Sequence, residues 1–432
     1  MQSDPADTAS KAGHSRLWVA GLVLLAIVAA VFAVVRDGGD TVITPNDDPG
    51  SGPARGVTTR EDSAAELLTD LATNLSQGNR SEALRLAAPG SKEATHSLAA
   101  IFDNVQDLEI ENLSLRYVDE GAGEISRHAQ QKFDDRAWVA DVQVGWQIDG
   151  FDKGLSQMEV SFVFVETPQG AAFLSAGAGE DTAAPLWLLS DLAVKRSQRS
   201  LVMAADRSEL AEFSALADQA VADVKLVLPN WRGDLVVEVP ASQQQLDHML
   251  NAEKNSYDSI AALTTTVDGS LSRFSPTHIL VNPGVFDRLG ADGAQIVMSH
   301  EATHVATDAA RSSMPMWLLE GFADYVALAH VDLPVSVTAS QILGDVRGGR
   351  PPEHLPGGEE FDPSNKALGA SYESAWLACR LLAERYGEQE LIAFYREVDE
   401  GMSIEEAFSR MLNTNQRAFT KEWQEYLRQL AA

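Results

Sequence analysis

Leu67, Leu68, Leu71 and Leu75 recur at the three- and four-residue intervals of one helix face, and Leu98, Ile101, Phe102 and Val105 repeat the pattern. The period then drops to two. Trp138, Ala140, Val142, Val144, Trp146 and Ile148 alternate with mostly polar residues, which predicts a strand with one buried face. Met158, Val160, Phe162 and Phe164 do the same less cleanly. The segment Leu108–Val118 changes phase near Glu111 and Asn112, the mark of a bulge. Helices followed by an antiparallel curved sheet predict an α+β domain over residues 61–200.

A second domain is expected over residues 205–432. It opens with a helix near Glu209–Lys225 and continues with short strands at Leu235–Val239, Ile260–Val267 and His278–Val281. Most of the remaining chain has helical periodicity, ending in the amphipathic stretch Phe419–Leu430. The interruption is Gly344–Gly369, rich in Gly and Pro and acidic at Glu359 and Glu360. It reads equally as a lid over a cleft and as an ordinary surface loop.

Ahead of both domains, Leu17–Val35 is apolar and uncharged. As a helix it would reach about 29 Å, enough for a bilayer core, which predicts a transmembrane signal anchor at residues 17–36. Lys11 and Arg16 lie before the run and Arg36 alone closely after it, favouring an inside N-terminus. On this expectation residues 1–16 are a cytoplasmic tail, residues 37–60 a flexible linker, and both domains lie on the extracytoplasmic side of the cell membrane.

Charge narrows the partners. The 432 residues hold 33 Lys and Arg against 63 Asp and Glu, a net charge of −30, and such a surface repels nucleic acid and anionic headgroups. The single cysteine, Cys379, has no partner for an internal disulfide and sits in a helical pattern as a small hydrophobe.

The densest chemistry is His300-Glu301-Ala302-Thr303-His304. Four residues apart on a helix, His300 and His304 stack on one face and can share an ion. Glu301 points about 100° away, where it can reach the attacking water as a general base. A catalytic zinc takes three protein ligands and keeps one open position. Glu320 is the best candidate for the third. Pro315 suits the first turn of a new helix running to about Ala329, after a turn at Arg311–Met314. Asp324 follows Glu320 at i+4, placed to accept the free N–H of His300 and fix its tautomer. Gly321 would let the two helices approach closely. Donors of this kind, with water activation, favour zinc.

The phrase Pro315-Met316-Trp317-Leu318-Leu319-Glu320-Gly321-Phe322-Ala323-Asp324-Tyr325 resembles the P-x-W-L-x-E-G-F-A-x-Y signature of bacterial peptidase-MA-like domains. With the histidine motif, the chain resembles the gluzincin clan of metallopeptidases, the thermolysin-like and aminopeptidase-like enzymes. The resemblance implies Zn2+ held by His300, His304 and Glu320, with Glu301 as base and a peptide or protein as substrate. No G-x-M-E-N motif precedes the helix, and the gap from His304 to Glu320 is shorter than in thermolysin. In similar proteins a Tyr placed like Tyr372 points into the cleft as an oxyanion donor; an ordinary half-buried tyrosine is the other reading. His278 and His354 are weaker candidates. Strand His278–Val281 is either the sheet edge that pairs with substrate or a plain core strand. The first domain resembles the NTF2-like cone fold, which fixes no function.

The expectation is thus an α+β chain: a transmembrane helix, a cone domain, then a mainly helical metallopeptidase domain with a small sheet. Its alternatives are a non-catalytic metal-binding scaffold of the cell envelope and a hydrolase of non-peptide amides.

Overall fold

A computed structural model describes residues 59–432, apart from 122, 124, 178–181, 255 and 330. The first unit opens with α1 (Arg60–Ser76), α2 (Arg80–Arg85) and α3 (Lys92–Asp107). Thr59 starts α1 through a reciprocal cap with Asp62, and Ser91 caps α3 by accepting the Ala94 N–H. Leu67, Leu68, Leu71 and Leu75 are the buried face of α1, as their spacing predicts.

Then comes an antiparallel meander, β1 (Ile110–Glu120), β2 (Ala137–Ile148), β3 (Ser156–Thr167) and β4 (Gly170–Ala176), with α4 (Arg127–Phe133) between β1 and β2 and α5 (Leu186–Leu189) after β4. The register of β1 slips between Glu111 and Ser114, and Asn112 takes φ 52°, so the bulge lies where the phase changes. The weak alternation of β3 also has a cause. Val160, Phe162 and Phe164 face the main core, while Val163 and Val165 join a second cluster with Phe133 of α4. Part of this strand is buried on both faces.

The second sheet is mixed, in the order β5-β6-β7-β9-β8. Its members are β5 (Ala193–Arg196), β6 (Ser200–Ala204), β7 (Leu235–Val239), β8 (Ala262–Thr266) and β9 (Thr277–Val281), with α6 (Leu210–Val227) between β6 and β7 and α7 (Gln243–Met249) after β7. Strands β6, β7 and β9 are parallel, and the antiparallel β5 and β8 form the edges. The rest is helical: α8 (Pro283–Phe286), α9 (Ala291–Thr307), α10 (Met316–Leu328), α11 (Val335–Thr338), α12 (Ser340–Arg347), α13 (Leu368–Tyr386), α14 (Glu388–Asp399), α15 (Ile404–Leu412) and α16 (Gln416–Ala431).

Two expectations are corrected. First, among the described residues no helix is long and apolar enough to cross a membrane. The longest of them, α13, carries Glu373, Arg380, Glu384 and Arg385. The architecture is therefore α+β with two sheets and no membrane helix among its described elements; the run at 17–36, the tail 1–16 and linker residues 37–58 lie outside the described residues. Second, β5 and β6 pair into the second sheet, so the division between units falls before Ala193 rather than at 200–205. These strands are four and five residues long, too short to show a period. Of the two readings of His278–Val281, the structure has the core strand: β9 is interior and β8 is the edge. The two units share one continuous hydrophobic core.

Candidate metal centre

Helix α9 is buried along its centre, from Ile296 through His304. Two sets of polar contacts fix its position. Asp223 of α6 accepts from the Ser299 hydroxyl at 2.8 Å and from Gln295 Nε2 at 3.3 Å. On its other flank, the Thr264 hydroxyl of β8 sits 2.7 Å from Glu301 Oε2 and 3.1 Å from the Glu301 carbonyl. Helix α10 starts after Pro315 and is buried almost all round, with Trp317 stacked near Phe408 and Phe419.

These helices bring three donors to one point. The Nε2 atoms of His300 and His304 lie 2.9 Å apart. Glu320 Oε2 lies 3.3 Å from the first and 3.4 Å from the second. Ligands about 2.0–2.1 Å from a tetrahedral ion stand about 3.3 Å from one another, so this triangle matches three of the four corners of a zinc site. Asp324 Oδ1 meets His300 Nδ1 at 2.7 Å, which commits that nitrogen as the donor and turns the Nε2 lone pair toward the triangle. Sequence spacing thus assigns His300, Glu301, His304, Glu320 and Asp324 to one cluster, and all five meet there. Tyr372 joins them: its ring centre is 6.1 Å from that of His300, and Phe361 packs edge-on against it at 4.9 Å.

Burial and charge test whether a cation fits. His300, Glu301 and Glu320 are 0% exposed, and His304, Asp324 and Tyr372 are 1% exposed. Among the described residues, neither Glu320 oxygen makes a hydrogen bond, nor does Glu301 Oε1. Three carboxylates are buried beside two imidazoles, and no Lys or Arg pairs with them in the described residues. The imidazoles compensate these carboxylates only in part, and a buried ion left unpaired costs several kcal/mol. A divalent cation held by two nitrogens and one oxygen offsets that cost. The donor set therefore fits zinc.

The same groups tune one another. Burial disfavours charge on His300, but the Asp324 carboxylate outweighs it and holds the ring well above the usual histidine range. Binding a cation requires His300 to give up that proton from Nε2, so affinity falls in acid. Burial lowers His304. Burial also pushes Glu301 up to about 8, against the opposing pull of His300 and the Thr264 hydrogen bond.

No protein-family model and no curated protein matches the chain significantly. The reading therefore rests on the site's own geometry.

Other candidates fall elsewhere. His278 is buried against the first unit, 3.0 Å from Asp152. His354 lies in the loop before α13, its Nδ1 3.1 Å from the Leu355 carbonyl. Gly321 does permit a close approach, but to a different helix. A Cβ there would meet the Ala375 carbonyl oxygen of α13 at 2.3 Å and Cys379 Sγ at 3.0 Å. One residue past Glu320, it faces about 100° away from α9. Gly321→Ala is expected to cost about 1–3 kcal/mol through overpacking and to weaken metal binding by shifting Glu320; thermal unfolding with and without zinc measures both. Asp324→Asn is expected to weaken zinc affinity about 10–100-fold, read by chelator competition.

Sequence reasoning missed Thr264. Its only local sign is the run Thr264-Thr265-Thr266, polar residues in a strand that is wholly buried. The segment 344–369 is partly ordered against the site. Arg347 ends α12, while a short 3-10 turn at Gly358–Phe361 brings Phe361 against Tyr372, and Ser259 donates to the Pro363 carbonyl.

Proposed function

We propose that this chain is a zinc-dependent peptidase that hydrolyses peptide bonds, with His300, His304 and Glu320 as metal ligands and Glu301 as general base. The observation that carries the reading is the convergence of His300 Nε2, His304 Nε2 and Glu320 Oε2 within 2.9–3.4 Å of one another, beside a buried carboxylate held by Thr264. When bound, zinc supplies Lewis acidity that polarises a carbonyl and acidifies water. Glu301 takes the proton from the attacking water and passes it to the leaving amine. Thr264 engages one oxygen of Glu301, and the other makes no hydrogen bond among the described residues, which leaves it available to the water. Asp324 holds the His300 ring in its ligating tautomer. Tyr372, close to His300, is the candidate donor to the developing oxyanion.

A substrate must reach residues that are no more than 1% exposed. Entry therefore requires some of the residues packed around the site to move apart. This closure is also the observation that favours the second reading, a metal-binding scaffold with no turnover. Metal analysis of the purified chain with peptide-library cleavage tests the first reading. One zinc per chain with cleavage at defined bonds is the expected result. Bound zinc with no cleavage and no affinity for a peptide hydroxamate supports the scaffold.

A further inference from the structure

We propose that Asp152, in the turn between β2 and β3 of the first unit, is a positioning residue for Glu301: by clamping His278 of β9 it fixes the strand pair β8–β9, whose Thr264 hydroxyl holds the Glu301 carboxylate. The inference rests on the reading of Glu301 as the base.

His278 is 1% exposed and lies between two carboxylates. Its Nε2 meets Asp152 Oδ1 at 3.0 Å and its Nδ1 meets Glu238 Oε1 of β7 at 2.7 Å. Both ring nitrogens donate at once only in the imidazolium form. Asp152 is itself immobilised. Its second oxygen accepts the Ile148 N–H at 2.8 Å, and its carbonyl accepts from Gln147 Nε2 at 2.9 Å. A cavity of about 30 Å³ beside the ring, lined by Trp146, Trp187 and Glu238 among others, has room for a water or two but no ligand, so the cluster is a joint rather than a pocket.

The register carries the effect to the metal centre. His278 stands opposite Thr265, and Thr264 stands opposite Ile279. Side chains alternate along a strand, so Thr265 shares the face of His278 while Thr264 points to the other, toward α9. The clamp thus backs the edge strand at the place where its front holds Glu301. β8 has a ladder partner on one side only, so this backing has no substitute across the other edge. The seam continues beside the clamp: Gln157 N–H donates to Asp268 at 3.3 Å, and a Cβ on Gly154 would meet the Phe274 carbonyl oxygen at 2.0 Å.

The clamp has a pH signature. Burial opposes the charge on His278, but Asp152 and then Glu238 outweigh it and raise the ring to about 9. Those are the charged groups that face it, from the β2–β3 turn and from β7; β8 presents the neutral Thr265. Because the folded value lies above the ordinary 6.5, the stabilisation is complete below about 6.5 and is lost as pH rises through about 9.

The experiment compares the full-length wild type with Asp152→Asn, which keeps the shape, and Asp152→Ala. Cleavage kinetics across pH, zinc content and hydrogen exchange over residues 262–281 are read together. At pH 7 Asp152→Asn is expected to retain zinc, to lose kcat about tenfold with KM within about twofold, and to move the alkaline limb of kcat to lower pH. Amides of β8 should exchange faster in both variants. Loss of kcat without movement of the alkaline limb would mean a merely structural role and overturn the proposal. Wild-type kcat and exchange in both variants at every pH would overturn it as well. Should the wild type cleave no peptide, the peptidase reading fails separately and exchange decides: faster exchange in β8 sustains the clamp, and unchanged exchange removes it.

Discussion

Glu301→Gln is expected to bind one zinc per chain with near wild-type affinity and to lose peptide hydrolysis by about 10²–10⁴-fold, the usual range for a positioned acid–base group. Gln has the same shape, and its amide oxygen can still accept from the Thr264 hydroxyl, which sits 2.7 Å from the native Oε2. None of the three converging ligand atoms belongs to Glu301. Only the capacity to take a proton disappears. The fold should not suffer, because a neutral amide replaces a carboxyl group that burial, with the neighbouring Glu320 and Asp324, pushes above its ordinary range. Titration with a chromogenic chelator and single-turnover cleavage check the two halves. Retained hydrolysis would remove Glu301 from the mechanism.

The second large effect concerns Glu320→Gln, and its size depends on the metal. Glu320 is 0% exposed and its oxygens make no hydrogen bond among the described residues. Without zinc, burial opposes its charge, but His304 and His300 outweigh this and hold its carboxyl below the ordinary range, so replacing it with Gln should lower the melting temperature of the metal-free protein modestly. With zinc it is the only oxygen in the ligand triangle, and its loss should weaken affinity by more than the 10–100-fold typical of outer partners. Hydrolysis should be abolished with it. If Glu320 is a ligand, excess zinc raises the melting temperature of the wild type far more than that of the variant, each measured against its unfolding in chelator. An equal loss of stability in chelator and in excess zinc would make it an ordinary buried structural carboxylate.

The part of the site that could be read from the sequence is the part set by helical spacing. His300 and His304 share a face at i+4, and so do Glu320 and Asp324, because a helix fixes those neighbours whatever surrounds it. The Asn112 bulge was legible for the same reason, as a local break of period. What escaped depends on distant pairing. Thr264 is 37 residues from Glu301, and Asp152 is 126 from His278. Strands β5 and β6 become visible only through their pairing, β5 with β6 and β6 with β7. Gly321 shows the limit well: its lack of a side chain pointed to a close approach, but the neighbour proved to be Ala375 on α13, not α9. The pattern of a chain tells which residues need partners and seldom which partners they find.

The central claim is that two imidazoles of α9 and one carboxylate of α10 share an ion. Zinc K-edge absorption of the purified full-length protein tests it most directly, with His304→Ala and Glu320→Gln beside the wild type. The expected wild-type spectrum is one zinc per chain in a first shell of two imidazole nitrogens and oxygen at about 2.0–2.1 Å, altered in both variants by loss of a ligand or of the metal. No stoichiometric zinc in the wild type, or a shell left unchanged by Glu320→Gln, would contradict the account.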